Sequence, residues 1–189
     1  MSEMTCGSAF RTPRLDSPTI DDSNLGLRPL TFSDRDDLRD LLVGLEPSAR
    51  WERFGAIVND QMLAAHALRA VTDATAAIGA VAAGRLRGAV EIYRKDDDVA
   101  EAALVVDAAW RNRGLGAVML DGALQWAANA GTRRLRLIFS RHNWPMRRLV
   151  GRANARFDLV LDAICADIAA AGVTDEPLGW QQPWSEAAQ

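Results

Sequence analysis

Between residues 100 and 127 the chain changes its period without a linker. Ala100 to Asp107 is small and β-branched, and it feeds directly into Arg111-Asn112-Arg113-Gly114-Leu115-Gly116-Ala117. Beyond that turn Gly116, Met119, Leu120, Ala123, Leu124 and Ala127 fall at i, i+3, i+4, i+7, i+8 and i+11. The spacing predicts a strand that passes through a glycine-containing turn into a helix with one buried face. Gly131 stands where such a helix ends. Arg133 to Ser140 then alternates, with Leu135, Leu137 and Phe139 opposite Arg134, Arg136 and Ile138, and reads as the next strand.

The remaining elements are read around this unit. Leu25 to Leu30 is a short strand, and Ser33 is placed to cap a helix carrying Leu38, Leu41, Leu42 and Leu45. Glu46-Pro47-Ser48 breaks it, and a second helix-favouring region runs through Trp51, Phe54, Ile57, Met62, Leu63 and Leu68. Ile78 to Ala83 and Leu86 to Tyr93 form a hairpin, followed by a turn at Lys95-Asp96-Asp97-Asp98. A short helix spans Pro145 to Ala153 with Asn143 near its cap, and Phe157–Asp162 and Ile164–Ile168 close the sheet as a hairpin. The order is strand, two helices, three strands, helix, strand, helix, two strands. Residues 1–24, rich in Ser, Thr, Asp and Pro, are expected to be a flexible tail, and 171–189 a second tail, flanking a domain over 25–170.

A length of 189 residues with 49% hydrophobic and 25% charged residues fits one compact domain. The net charge of -3 argues against a generally basic nucleic-acid coat protein. Cys6 and Cys165 have no metal-like neighbours, so no structural metal is expected. No stretch approaches the ~20 apolar residues of a membrane span, and no secretory signal is visible. These points read as a soluble, cytoplasmic protein with no membrane partner.

The first turn of a helix offers unpaired N–H groups and the positive end of its dipole, so the turn at 111–117 suits a phosphate or pyrophosphate. Gly114 and Gly116 let a ligand approach the backbone, and Arg111 and Arg113 can add charge-assisted hydrogen bonds. A dinucleotide fingerprint fails because the third position after Gly116 is Met119, and a P-loop fails for want of Gly-Lys-Ser/Thr.

Arg111-x-x-Gly114-x-Gly116 after a fourth strand resembles the signature of the GNAT superfamily of N-acetyltransferases, and the element order from Leu25 to about Ile168 is similar too. The resemblance implies an α/β (α+β) GNAT fold: a mixed, mostly antiparallel six- to seven-stranded sheet with helices on both faces, splayed between the fourth and fifth strands. It also implies acetyl-coenzyme A (acetyl-CoA) as cosubstrate, with Arg111, Asn112, Arg113, Gly114, Leu115, Gly116 and Ala117 around its pyrophosphate and Leu104, Val105 and Val106 along its pantetheine arm. Asn143-Trp144-Pro145-Met146-Arg147-Arg148-Leu149 resembles the family's Asn-x-x-Ala/Met-x-x-Leu. Asn143 is thereby implied as a pantetheine contact, a helix cap, or both, with Met146 and Arg147 beside it.

Acyl transfer to an amine of pKa ~10.4 calls for a proton acceptor. Glu101, within Ala100-Glu101-x-Ala103-x-x-Val106, resembles the base of bacterial protein lysine acetyltransferases; the functional reading requires a bulge or splay between it and Val106. Glu91 is the second candidate. Where the family commonly has a tyrosine as general acid this chain has Val150, and Ser140 or water are the substitutes considered. Ser48-Ala49-Arg50-Trp51-Glu52-Arg53-Phe54 resembles a stretch that borders the acceptor site in the lysine acetyltransferases, so the amine is a protein lysine or a small molecule. Two alternatives stay open: a catalytically silent acyl-CoA sensor, favoured by the missing tyrosine, and a nucleic-acid-binding module, suggested by eight arginines without an acid between Arg133 and Arg156 but lacking interleaved aromatics. A homodimer is compatible with either enzyme or sensor.

Overall fold

The computed structural model describes residues 25–170. The two stretches read as tails, 1–24 and 171–189, lie outside the described residues. Seven strands form one sheet: β1 (Gly26–Pro29), β2 (Ala76–Ala82), β3 (Arg85–Arg94), β4 (Val99–Val106), β5 (Arg134–Ser140), β6 (Arg156–Val160) and β7 (Ala163–Ala169). Their order across the sheet is β1-β2-β3-β4-β5-β7-β6, and all neighbours are antiparallel except β4 and β5. The closing hairpin folds so that β7, not β6, lies beside β5. Alternating apolar residues decide this: Ile164, Ala166 and Ile168 are buried, whereas all five residues of β6 are exposed.

The helices are α1 (Arg35–Val43), α2 (Pro47–Phe54), α3 (Asp60–Thr72), α4 (Leu115–Asn129) and α5 (Trp144–Arg152). On one face of the sheet, Leu38, Leu41 and Leu42 of α1 and Leu63 and Ala67 of α3 pack with Ala77, Ala89 and Val105. On the other, Met119, Leu120, Ala123 and Ala127 of α4 and Val150 of α5 pack with Val90, Ile92, Ala102, Leu135 and Leu137. The period-3.6 set of α4 and the alternating set of β5 thus meet in one core, as their spacing dictates. Close approach is possible because position 88 has no side chain. A Cβ there would stand 2.6 Å from Met119 Sδ and 2.9 Å from the Val105 carbonyl oxygen.

Two expectations are corrected. Ser33 does not cap α1: a 3₁₀ turn, Phe32–Asp34, precedes the helix and is capped by Thr31, with the Asp34 carboxylate accepting from the Thr31 N–H at 2.8 Å. The region from Trp51 to Leu68 is two helices, not one, because Gly55 takes φ 63° after Phe54 and Asn59 opens α3 by accepting from the Met62 N–H. Gly131, with φ 72° after α4, stands where the sequence placed the helix end; Asn154, with φ 53°, ends α5.

Candidate active site

β4 and β5 pair from Val99 opposite Arg134 to Ala102 opposite Leu137. Both strands continue, to Val106 and to Ser140, so beyond that register they part. β4 stays paired to β3 as far as Val106, which keeps its free edge extended. The gap is a cleft of about 290 Å³ bordered by Ala102 to Val106 and Leu137 to Phe139. Asn143, Pro145 and Met146 wall it on one side and Ser48, Ala49, Glu52 and Arg53 of α2 on the other. Met146 packs with the α4 core and Ala49 with the opposite core, so the cleft joins the two faces of the sheet.

The loop after β4 is built by local bonds. Asp107 accepts from the Ala109 N–H at 3.0 Å and opens a 3₁₀ turn over Ala108–Trp110. Asn112 (φ 59°) and Gly114 (φ 88°) both adopt the left-handed region, which turns the chain sharply into α4. Gly114 is the cap residue and supplies no side chain to the helix. The Ala117 N–H already donates to the Gly114 carbonyl at 2.9 Å, so the amides of Leu115 and Gly116 are the ones that precede the helical ladder. Arg111 borders the cleft, its Nε 3.4 Å from the Val106 carbonyl and its guanidinium 3.6 Å from Glu46. The Arg113 guanidinium lies 5.4 Å from the Trp110 ring centre, and that of Arg87 5.5 Å from it. Sequence reasoning missed Trp110, a nearly buried ring that seats Arg113; a tryptophan just ahead of an Arg-rich turn was the available signal.

Asn143 caps α5 by accepting from the Met146 N–H at 3.0 Å while lining the cleft. Arg147 lies over the exposed Trp144 ring at 4.9 Å and does not line the cleft. Leu104, Val105, Val106, Arg111, Asn143 and Met146 are thus gathered on one cavity.

The carboxylates are placed differently. Glu91 is 1% exposed and is held by Arg53 at 2.9 Å, His66 at 2.9 Å and the Tyr93 hydroxyl at 3.1 Å. Burial, the largest single influence, pushes its carboxyl up, but the His66 hydrogen bond and the Arg53 charge together carry it below the ordinary value. Its own partial burial and the Glu91 charge raise the Tyr93 hydroxyl to about 12. Glu101 stands opposite Tyr93 on β3 and Arg136 on β5, with Lys95 at 3.3 Å. The β3–β4 register runs unbroken from Gly88 opposite Val106 to Arg94 opposite Ala100, so there is no bulge between Glu101 and Val106; the splay starts one residue after Glu101, past Ala102. Neither Glu91 nor Glu101 lines the cleft, and Glu52, which was not singled out, does.

Val150 is fully buried in the α4 core, and Ser140 accepts from the His142 N–H at 3.2 Å. Much of the arginine run meets carboxylates from other segments: Arg133 with Asp98 at 3.3 Å, Arg136 with Asp167 at 2.8 Å and Arg141 with Asp162 at 3.5 Å. Among the described residues no group of three His, Cys, Asp or Glu could hold a metal ion, and no helix is long and apolar enough to cross a membrane.

A parallel strand pair that parts in mid-sheet beside a glycine-capped helix is the geometry implied by the family resemblance, and residues 41–153 match the acetyltransferase (GNAT) family. The chain belongs to the GNAT acetyltransferases. Members of this family use acetyl-CoA as cosubstrate. Among solved structures, this GNAT chain is similar to the GNAT domain of PAT from S. lividans, at 19% identity and a TM-score of 0.66, covering 76% of this chain and 89% of that one. It is similar also to spermidine N-acetyltransferase from Vibrio cholerae in complex with CoA and spermine (16% identity, TM-score 0.65, 79% and 97% covered). PaiA N-acetyltransferase from Thermoplasma acidophilum, in complex with coenzyme A, gives 16% identity and a TM-score of 0.61 over 77% and 98%. At these identities the likeness concerns the fold. No curated protein matches the chain.

Proposed function

We propose that this GNAT protein transfers an acetyl group from acetyl-CoA to a primary amine, a protein lysine or a small molecule, by direct attack while both substrates are bound. The observation that carries the reading is the parting of β4 and β5 after Ala102 and Leu137, next to a helix start whose cap is a left-handed glycine. These residues fit the cosubstrate. The Leu115 and Gly116 amides and the dipole of α4 suit a pyrophosphate, with Arg111 and Arg113 adding charge. The edge of β4 from Ala103 to Val106 offers backbone groups to an amide-bearing arm. Asn143 uses its side-chain oxygen as a cap, so its Nδ2 is the group that would meet a pantetheine carbonyl.

Bound acetyl-CoA supplies an activated acyl carbon and a good leaving group. An amine that attacks this carbon forms a C–N bond as the C–S bond breaks, and one nitrogen proton ends on sulfur. An acceptor arriving as ammonium must first give up a further proton, and Glu101 is proposed to receive it, directly or through water. Its place one residue before the splay, on the face shared with Tyr93 and Arg136, supports that role over Glu91, whose oxygens are held by Arg53, His66 and Tyr93. With Val150 buried, the thiolate takes its proton from the amine or from water; a thiol of pKa ~8.5 leaves without strong acid help.

The test is thiol release from acetyl-CoA across an amine panel that includes lysine peptides, together with amide shifts of residues 113–117 on titration with acetyl-CoA. Unmoved amides at saturation overturn the reading. Binding without turnover across the panel would replace it by the sensor, which the absence of a tyrosine at Val150 favours. Glu101→Gln is expected to lower kcat by about 10²–10⁴ while acetyl-CoA affinity persists.

A further inference from the structure

One cross-strand row carries alternating charge. Glu101 of β4 stands opposite Arg136 of β5, Arg136 opposite Asp167 of β7, and Asp167 opposite Arg156 of β6. Residues directly opposed in neighbouring strands share a face of the sheet, so Arg136 has a carboxylate on either side of it. It takes only one. Its Nε and a terminal nitrogen each lie 2.8 Å from a separate oxygen of Asp167, a two-bond fork. Arg134 approaches the same carboxylate at 3.7 Å, and the Asp167 side chain is only 10% exposed.

Glu101 is left with Lys95 at 3.3 Å, an exposed pair of the kind that contributes little. Among the described residues it forms no ion pair with Arg136. A guanidinium forked onto Glu101 would occupy both of its oxygens and lower its affinity for a proton. The balance on Arg136 agrees with the geometry: the Asp167 hydrogen bonds are the largest influence that raises it above its ordinary value, and the Glu101 charge is the smallest. Other charged and titratable groups around Glu101 are Tyr93 opposite it on β3, Lys95 and, across Arg136, Cys165. Arg53 of α2 is committed to Glu91.

We propose that Asp167 is a positioning residue: it holds the Arg136 guanidinium towards β7 and so keeps it off Glu101, whose oxygens stay open to a proton from the acceptor. The role rests on the reading of Glu101 as proton acceptor for its purpose. The competition of two carboxylates for one guanidinium stands on the row itself, and it operates with no substrate bound.

The test follows the Glu101 carboxyl by carbon-13 NMR through a pH titration of the full chain, without ligand, as wild type, Asp167→Asn, Arg136→Gln and the double variant. Asp167→Asn frees Arg136 to pair with Glu101, and the Glu101 titration is expected to move about 1 unit towards lower pH. In the Arg136→Gln background the same change should produce almost no move. In turnover, Asp167→Asn is expected to lower kcat about tenfold with acetyl-CoA affinity within twofold, and the acid limb of kcat/KM should follow the carboxyl. Asp167→Glu, or Arg136→Gln added to Asp167→Asn, should recover most of the rate. An unmoved titration in Asp167→Asn, or an equal move in both backgrounds, which mere loss of a nearby negative charge would give, overturns the role while acetyl transfer stands. Arg136→Gln alone keeps the test decisive if Asp167→Asn does not fold: Glu101 should stay nearly in place, and a rise of a full unit would show that Arg136 already pairs with it and overturn the proposal. Absence of turnover in the wild type with the carboxyl response intact removes the proposed function and keeps the competition between Asp167 and Glu101.

Discussion

Arg53 of α2 and Glu91 of β3 face each other at 2.9 Å, with 13% and 2% of their side chains exposed, and this contact ties the helix over the cleft to the middle of the sheet. His66 of α3 reaches the same carboxylate, so three elements converge on one buried charge.

Removing one side of that pair should be costly. Arg53→Met leaves Glu91 buried with His66 and Tyr93 as remaining partners, and the expected loss is about 3–5 kcal/mol. Urea unfolding measures it; a loss under about 1 kcal/mol would mean that water already reaches the carboxylate.

The two glycines of the loop should behave differently. Gly114 has φ 88°, so Gly114→Ala strains the turn by about 1–3 kcal/mol and is expected to weaken acetyl-CoA binding at least tenfold. A Cβ at Gly116 would meet only Leu149, at 3.5 Å, an ordinary contact in a helical position. Gly116→Ala is expected to raise helix stability by up to about 1 kcal/mol and to keep the cosubstrate. Calorimetric titration and thermal melts of the two variants separate backbone strain from ligand contact.

Acid should weaken the fold through two carboxylates. The Arg28 hydrogen bonds hold Asp34 well below the usual carboxylate range, and Glu91 is also held below its ordinary value. A group depressed in the folded state contributes stability in full above its unfolded pKa, about 4, and loses it as the pH falls through the folded value. The melting temperature is therefore expected to fall steadily from about pH 5 towards pH 2. Arg28→Ala should make that slope shallower, because it removes the largest of the influences that hold Asp34 down.

Packing at position 88 gives a prediction free of charge effects. Gly88→Ala puts a methyl against Met119 Sδ, which can move, and against the Val105 carbonyl, which cannot move without bending β4. The expected cost is about 1–3 kcal/mol, read from thermal melts.

Local pattern carried much of this fold. The spacing of Met119, Leu120, Ala123 and Ala127 specified α4, the alternation of Leu135, Leu137 and Phe139 specified β5, and the loop between β4 and α4 was visible as glycine and arginine. Long-range relations were not visible. The exchange of β6 and β7 depends on which strand finds β5, and nothing in Phe157–Asp162 alone announces an edge. Gly55 ends α2 by its φ, but the same glycine would be tolerated within a longer helix, so the region around it read as continuous. The Glu91 cluster joins residues from α2, α3 and β3, and the place of Glu52 on the cleft depends on how α2 lies over the gap. Ser33 and Thr31 are chemically alike as caps; the carboxylate of Asp34, already bound to Arg28, decides between them.

The register between β4 and β5 is short, only Val99 to Ala102 against Arg134 to Leu137, and it joins four strands on one side to three on the other. The sheet is in effect two plates riveted at one end, with α4 laid across the join. Thermal opening should concentrate on that hinge line, so amide exchange should be fastest along the unpaired margins of residues 103–106 and 138–140 and slow in the rivet itself. A molecule wedged between the plates would brace them, and its binding should slow exchange most at those margins.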